Sequence, residues 1–166
     1  TSRLRKLIEL VAEKSGWGKP LPKGQGMGIC AHKSFLTYVA CVVHVAFDEN
    51  GNMSIPEAHY AVDCGQVVNQ NSVIQQFEGG FIFSLSGALK GGISFKNGRS
   101  VQTNYDTYPV ARYADAPGKI FVHLVESDIH PTGVGEPPVP PVAPALANAI
   151  FAATGKRYRE YPIRMS

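Results

Sequence analysis

The chain has 166 residues, 44% of them hydrophobic and 17% charged, and its 16 Lys and Arg against 13 Asp and Glu leave a net charge of +3. A chain of this length can hide roughly two thirds of its unfolded surface in one domain; the composition excludes a disordered tail, a coiled coil and a multidomain assembly. No run approaches the roughly 18 to 20 apolar residues of a membrane span, and the cations gather at the ends (Arg3, Arg5, Lys6; Lys156, Arg157, Arg159, Arg164) while the middle of the chain has neither a basic cluster nor a recognition motif, which argues against nucleic-acid binding.

Leu4, Leu7, Ile8 and Val11 recur at helical spacing, which predicts an amphipathic helix over Arg3 to Ser15, closed by Gly16. Trp17 to Gly28 is rich in Gly and Pro and is expected to be a loop. Ile29 to Phe47 is β-branched and aromatic, and Asp48-Glu49-Asn50-Gly51-Asn52 is a hairpin signal leading to a second strand over Met53 to Asp63.

Asn69 to Lys90 lacks proline and spaces Ile74, Phe77, Phe81 and Leu85 about one helical turn apart, predicting a long helix. Glu78 then falls on the apolar stripe, and Gly79-Gly80 sits mid-helix, where each Gly costs about 1 kcal/mol relative to Ala. Either a second backbone crosses here, with Glu78 snorkelling, or a ligand comes too close for side chains.

A short hairpin is expected over Ile93 to Phe95 and Val101 to Thr103, and a strand over Lys119 to Glu126. His130 to Pro138 cannot be regular structure. Val142 to Thr154 is uncharged, carries Pro144 in its first turn and stops at Gly155, as a buried helix would; so apolar a helix hints at a larger surrounding body. The order helix, two strands, helix, hairpin, strand, helix predicts an α+β fold with a mainly antiparallel mixed sheet packed with helices. No repeat or linker divides residues 1–166, so a single domain is expected.

Cys30, Cys41 and Cys64 are odd in number and lack zinc-site spacing, so they are expected to be reduced structural thiols. Cys30 and His32 share a strand face and could ligate a metal or form a nucleophile and base, but no second such pair is present; His32, His44 or His59 could form a metal site, which predicts zinc or iron in the purified protein. Gly24-Gln25-Gly26 could cradle a phosphate, although an isolated GxG is a weak signal.

The strongest local signal is Gly133-Val134-Gly135-Glu136-Pro137-Pro138. The glycines free the backbone before the acid, and the prolines fix φ after it. A carboxylate so held in a dry pocket has a raised pKa and can serve as a base at neutral pH. The alternative is a surface Glu in a proline-rich turn.

The run GVGEPPVPPVAPALANAIFAATGKRYREYPI (133–163) closely resembles the carboxyl-terminal end of the molybdopterin-binding large subunit of the xanthine oxidase and aldehyde oxidase family, of the isoquinoline 1-oxidoreductase type. GWGKPLPKGQGMGICAHKSFLTYVACVV (16–43), AVDCGQVVNQNSVIQQFEGG (61–80) and NYDTYPVAR (104–112) look like the same subunit, in the same order.

The resemblance implies a molybdenum hydroxylase that oxidises an aldehyde or N-heterocycle with water-derived oxygen. It makes Glu136 the general base at a molybdenum-bound hydroxyl and gives Gln76 a contact with the pterin; Gly79, Gly80 and Gly135 then adjoin the cofactor. Metal is held by the pterin dithiolene, so no protein ligand, Cys64 included, is expected. Asn69-Gln70 stands where the family usually has Asn-Pro, which affects a helix start and no chemistry. Asp63 and Gly65 are expected to shape the turn between strand and helix.

By the same resemblance the chain is a carboxyl-terminal fragment, partnered by the rest of the large subunit and an iron–sulfur small subunit. Its location stays open between bacterial cytoplasm and periplasm. The isolated chain is expected to bind no molybdopterin and to be inactive. A noncatalytic binding or assembly module on the same scaffold is the alternative.

Overall fold

Val39, Cys41, Val43 and Val45 alternate with Ala40, Val42 and His44 along one strand, and nearly all are fully buried. Such a strand must be covered on both faces. The computed structural model, which describes residues 2–165, shows what covers it. Helix α1 (Ser2–Ser15) lies on one face; α2 (Gln70–Leu85) and α3 (Val142–Thr154) lie on the other.

The sheet comprises β1 (Gln25–Ser34), β2 (Thr37–Phe47), β3 (Met53–Asp63) and β6 (Lys119–Leu124), side by side in that order. β1–β2 and β2–β3 are antiparallel; β3–β6 is parallel. The fold is therefore α+β on a mainly antiparallel mixed sheet, as the element order predicts.

The segment predicted as one strand, Ile29 to Phe47, is two, and the predicted loop gives way to β1 at Gln25. The break is a two-residue turn at Phe35 and Leu36, both at positive φ (49° and 64°). Bulky residues rarely adopt that conformation, so nothing local in the sequence marks the turn. Asp48 follows the expected rule: its carboxylate accepts from the backbone N–H groups of Asn50 and Asn52 and from the Asn52 amide, closing the β2–β3 hairpin.

α1 presents Leu7 and Val11 to Tyr38, Ala40, Val42 and Ala61. Its Arg3 donates twice to Asp63, at 2.6 and 2.7 Å, and lies over the Tyr38 ring. α2 starts at Asn69, whose side chain caps Ser72 N–H, and continues as a π-turn over Ser86–Lys90. Its buried stripe is Val73, Phe77, Gly80, Phe81 and Leu85, so Glu78 is exposed and off the stripe, contrary to the sequence expectation.

The hairpin expected near 93–103 is only β4 (Phe95–Lys96) and β5 (Arg99–Ser100), joined by a left-handed Asn97-Gly98 turn. α3 ends at Gly155 in the left-handed region. Much of its apolar surface is covered within the chain, because it rests directly on β1. A Cβ on Gly28 would fall 2.1 Å from Ala145 O, and one on Gly26 2.4 Å from Ala149 O. Glycine is required at both places by the close approach of two backbones. The phosphate-cradle reading of Gly24-Gln25-Gly26 fails here, since Gly26 faces a helix backbone.

Candidate functional site

The conspicuous motif of the sequence lies in a strap, residues 129–139, that crosses the end of the sheet before entering α3. Its start is laid against the segment after β3. Gln66 N–H donates to Ile129 O (2.8 Å), Thr132 N–H donates to Cys64 O (2.9 Å), and a Cβ on Gly65 would overlap His130 O. Gly65 takes φ +75°, and its N–H lies 3.4 Å from an Asp63 carboxylate oxygen, so these two residues do shape the turn.

The middle of the strap meets the β1–β2 turn. Gly133 N–H donates to Phe35 O, and a Cβ on Gly133 would lie 2.9 Å from the Phe35 Cβ. The fully buried Thr37 hydroxyl donates to Gly133 O, which leaves the Thr132 hydroxyl, 2.6 Å away, to donate to Thr37. Beyond the acid, Val139 N–H donates to Glu136 O (3.0 Å) and the buried Tyr60 hydroxyl donates to Pro138 O (2.9 Å). Pro137 and Pro138 are buried; Gly135 and Glu136 are exposed.

α2 runs beside this strap. A Cβ on Gly80 would lie 2.5 Å from Pro138 Cγ, so its missing side chain is accounted for by the strap within this chain. Gly79 points the other way, into open space. Gln76 is exposed, its Oε1 lies 4.0 Å from where a Gly135 side chain would begin, and its amide has no hydrogen-bond partner among the described residues. The tertiary structure thus brings Gln76, Gly135 and Glu136, which lie about sixty residues apart in sequence, to one exposed edge. The dry pocket expected around Glu136 is not supplied by the described residues, because the carboxylate stands at the surface. A largely apolar cavity of about 500 Å³ opens beyond Val139, lined by Ile82, Phe83, Tyr108, Val110, Ala143 and Tyr161.

The residues that sequence reasoning weighed for other chemistry lie elsewhere. Burial pushes the thiols of Cys30, Cys41 and Cys64 up, away from the thiolate that nucleophilic chemistry needs. His44 and His59 both approach Glu57 (4.0 and 3.6 Å), and His59 Nδ1 lies 3.2 Å from His123 Nε2. Burial holds all three imidazoles below their usual pKa. His32 stands opposite Val39, several registers away from His44. Among the described residues no three His, Cys, Asp or Glu side chains are arranged to hold a metal ion. No helix among them is long and apolar enough to cross a membrane.

Sequence reasoning missed Thr37 and Tyr60 as parts of this site. Their signal is weak: a Thr and a Tyr in apolar strands look like ordinary sheet formers.

Residues 8–117 match the protein family described as molybdopterin cofactor-binding domain. The chain is 34% identical over 164 residues to a membrane-bound aldehyde dehydrogenase (pyrroloquinoline-quinone) of Gluconacetobacter polyoxogenes, covering 95% of this chain and 21% of that protein. It is 33% identical over 162 residues to the beta subunit of isoquinoline 1-oxidoreductase of Brevundimonas diminuta, covering 95% and 21%. With a nicotinate dehydrogenase subunit of Pseudomonas putida it shares 30% over 175 residues, covering 95% and 15%. The chain therefore spans 15 to 21% of the length of these curated relatives. Among solved structures, quinoline 2-oxidoreductase from Pseudomonas putida 86 superposes with a TM-score of 0.65 at 20% identity, covering 72% of this chain and 16% of that one. That likeness is one of fold.

Proposed function

The chain belongs to the molybdopterin cofactor-binding domain family, in the molybdenum-binding large-subunit region of the xanthine oxidase family, and from that premise we propose that it forms one wall of a molybdopterin site with Glu136 as general base. The observation that carries this reading is the meeting of the Glu136 strap with the Gln76 turn of α2. The family match includes Gln76, Gly79 and Gly80 and stops before Glu136, so the role of the carboxylate rests on the strap.

The residues present fit such a group. A Gln76 amide with no partner among the described residues and an exposed Glu136 carboxylate share one edge, and Gly135 puts no side chain between them. Gln76 would donate to and accept from the cofactor, while Gly79 and Gly135 would leave room for it. Gly80 would act through Pro138. When bound, the molybdenum cofactor supplies Lewis-acid activation of water and takes up the electron pair of the oxidation. Glu136 accepts a proton at a carboxylate oxygen, from a position set by the strap rather than by its own flexible side chain.

One relative is named for pyrroloquinoline-quinone; the family match over residues 8–117 favours molybdopterin. The substrate class follows the names of the relatives, an aldehyde or an N-heterocycle. Residues 1–166 act as a single domain of a longer subunit, which supplies the remaining cofactor contacts and passes electrons to an iron–sulfur subunit. The isolated chain holds no molybdopterin and is inactive; stoichiometric molybdenum in the purified chain would overturn that.

In the full-length enzyme, Glu136→Gln keeps the shape and removes the base. Turnover falls by about 100-fold or more while molybdenum content stays constant. Unchanged turnover removes Glu136 from the mechanism.

A further inference from the structure

The strap is held on both sides of Glu136 by buried hydroxyls. Thr37, fully buried on β2, donates to the Gly133 carbonyl three residues before the acid. Tyr60, fully buried on β3, donates to the Pro138 carbonyl two residues after it. Val and Phe are close in volume to Thr and Tyr, so Thr37→Val and Tyr60→Phe remove the hydroxyls with little change in the space filled. The Tyr60 ring stands edge-on to Phe77 and Phe81, with centroids 5.0 and 6.1 Å apart, so it is wedged against the helix that carries Gln76. Pro137 and Pro138 have fixed φ, and Val139 N–H closes a turn on Glu136 O. Little slack remains between the Tyr60 hydroxyl and the Glu136 backbone.

We propose that the hydroxyls of Thr37 and Tyr60 are positioning groups for Glu136, clamping its strap to the sheet and setting its distance from the Gln76 turn of α2. The assignment rests on the reading of Glu136 as the base. Thr37 and Tyr60 touch neither substrate nor cofactor; they act through the two carbonyls. A clamp of this kind matters because a misplacement of about 1 Å can cost about 100-fold in rate.

The test uses the full-length, cofactor-loaded enzyme with Tyr60→Phe, Thr37→Val and Thr37→Ser. In Tyr60→Phe and Thr37→Val the hydrogen-bonded amides of residues 133–139, those of Gly133 and Val139, exchange hydrogen about fivefold faster, the effect of losing one net hydrogen bond. In both, kcat falls about tenfold, KM and molybdenum content stay near wild type, and exchange in β2 and β3 is unchanged. Thr37→Ser retains the hydroxyl and restores both readouts. Unchanged exchange of the strap in the two variants overturns the clamp, and so does faster exchange with unchanged kcat. If one variant does not accumulate, the other carries the test; if Thr37→Ser fails with both, the hydroxyls are folding determinants and the assignment is overturned. Full turnover in Glu136→Gln defeats the base reading separately, because strap exchange still reports on the clamp.

Discussion

Gln76 on α2 and Gly135 in the strap face each other, with Gln76 Oε1 4.0 Å from the point where a Gly135 side chain would begin. That spacing is ordinary van der Waals contact, so a methyl group fits there. Gly135→Ala is expected to fold with a stability change of about 0.5 kcal/mol or less, while narrowing the space assigned to the cofactor. Molybdenum content of the full-length subunit is expected to fall, and Gln76→Ala is expected to lower it too. Full molybdenum loading in both variants would take these residues out of the cofactor wall.

The two adjacent glycines of α2 are expected to respond in opposite ways. Gly80→Ala drives a methyl group into the Pro138 ring, 2.5 Å from its Cγ, and overpacking of this kind costs about 1 to 3 kcal/mol. Gly79→Ala meets nothing within 4 Å and gains about 1 kcal/mol of helix propensity. Denaturant unfolding of the two variants measures the contrast. If Gly79 leaves room for the cofactor, its Ala variant is the more stable protein with the lower molybdenum content.

Gly28→Ala is expected to be among the most disruptive substitutions in the chain. Its methyl group would lie 2.1 Å from Ala145 O and 2.3 Å from Ala149 N, both backbone atoms of α3. Neither can move without lifting the helix from β1, so a loss of about 3 kcal/mol is expected. A midpoint unchanged in chemical denaturation would show that α3 does not rest on β1 as described.

Stability is expected to fall in two stages on acidification. Burial holds His44, His59 and His123 below their unfolded pKa of 6.5. The unfolded chain therefore binds protons first, and stability that is complete above pH 6.5 declines as the pH drops below it. Asp63 is held below its usual 3.8 by its bond to Arg3. That contribution is present above the unfolded value and is lost as the pH falls through the lower folded value. Stability against pH for His59→Gln should show a shallower first stage, and for Arg3→Ala a weaker second one.

The helices and β3 were legible because their determinants are local: apolar residues at helical spacing in α1, Asn69 before α2, Gly155 after α3, and Asp48 at the hairpin. The order and spacing of the Gln76 and Glu136 motifs were equally plain. Which Gly of the mid-helix pair packs and which stays open was not, because the answer lies in Pro138, far along the chain. The same holds for the turn at Phe35 and Leu36, whose positive φ goes against local preference.

By itself, the sequence determined the fold class, the succession of helices and most strands, and the motifs that tie the chain to its family; periodicity and capping act over a few residues and are written in consecutive letters. Only the tertiary structure decided that Gly26 and Gly28 belong to helix packing, that Glu136 stands exposed, and that Thr37 and Tyr60 hold its strap. Those outcomes depend on contacts across dozens of residues, such as Tyr60 to Pro138, where the approach of two backbones and the need to satisfy a buried hydroxyl override anything local pattern can express.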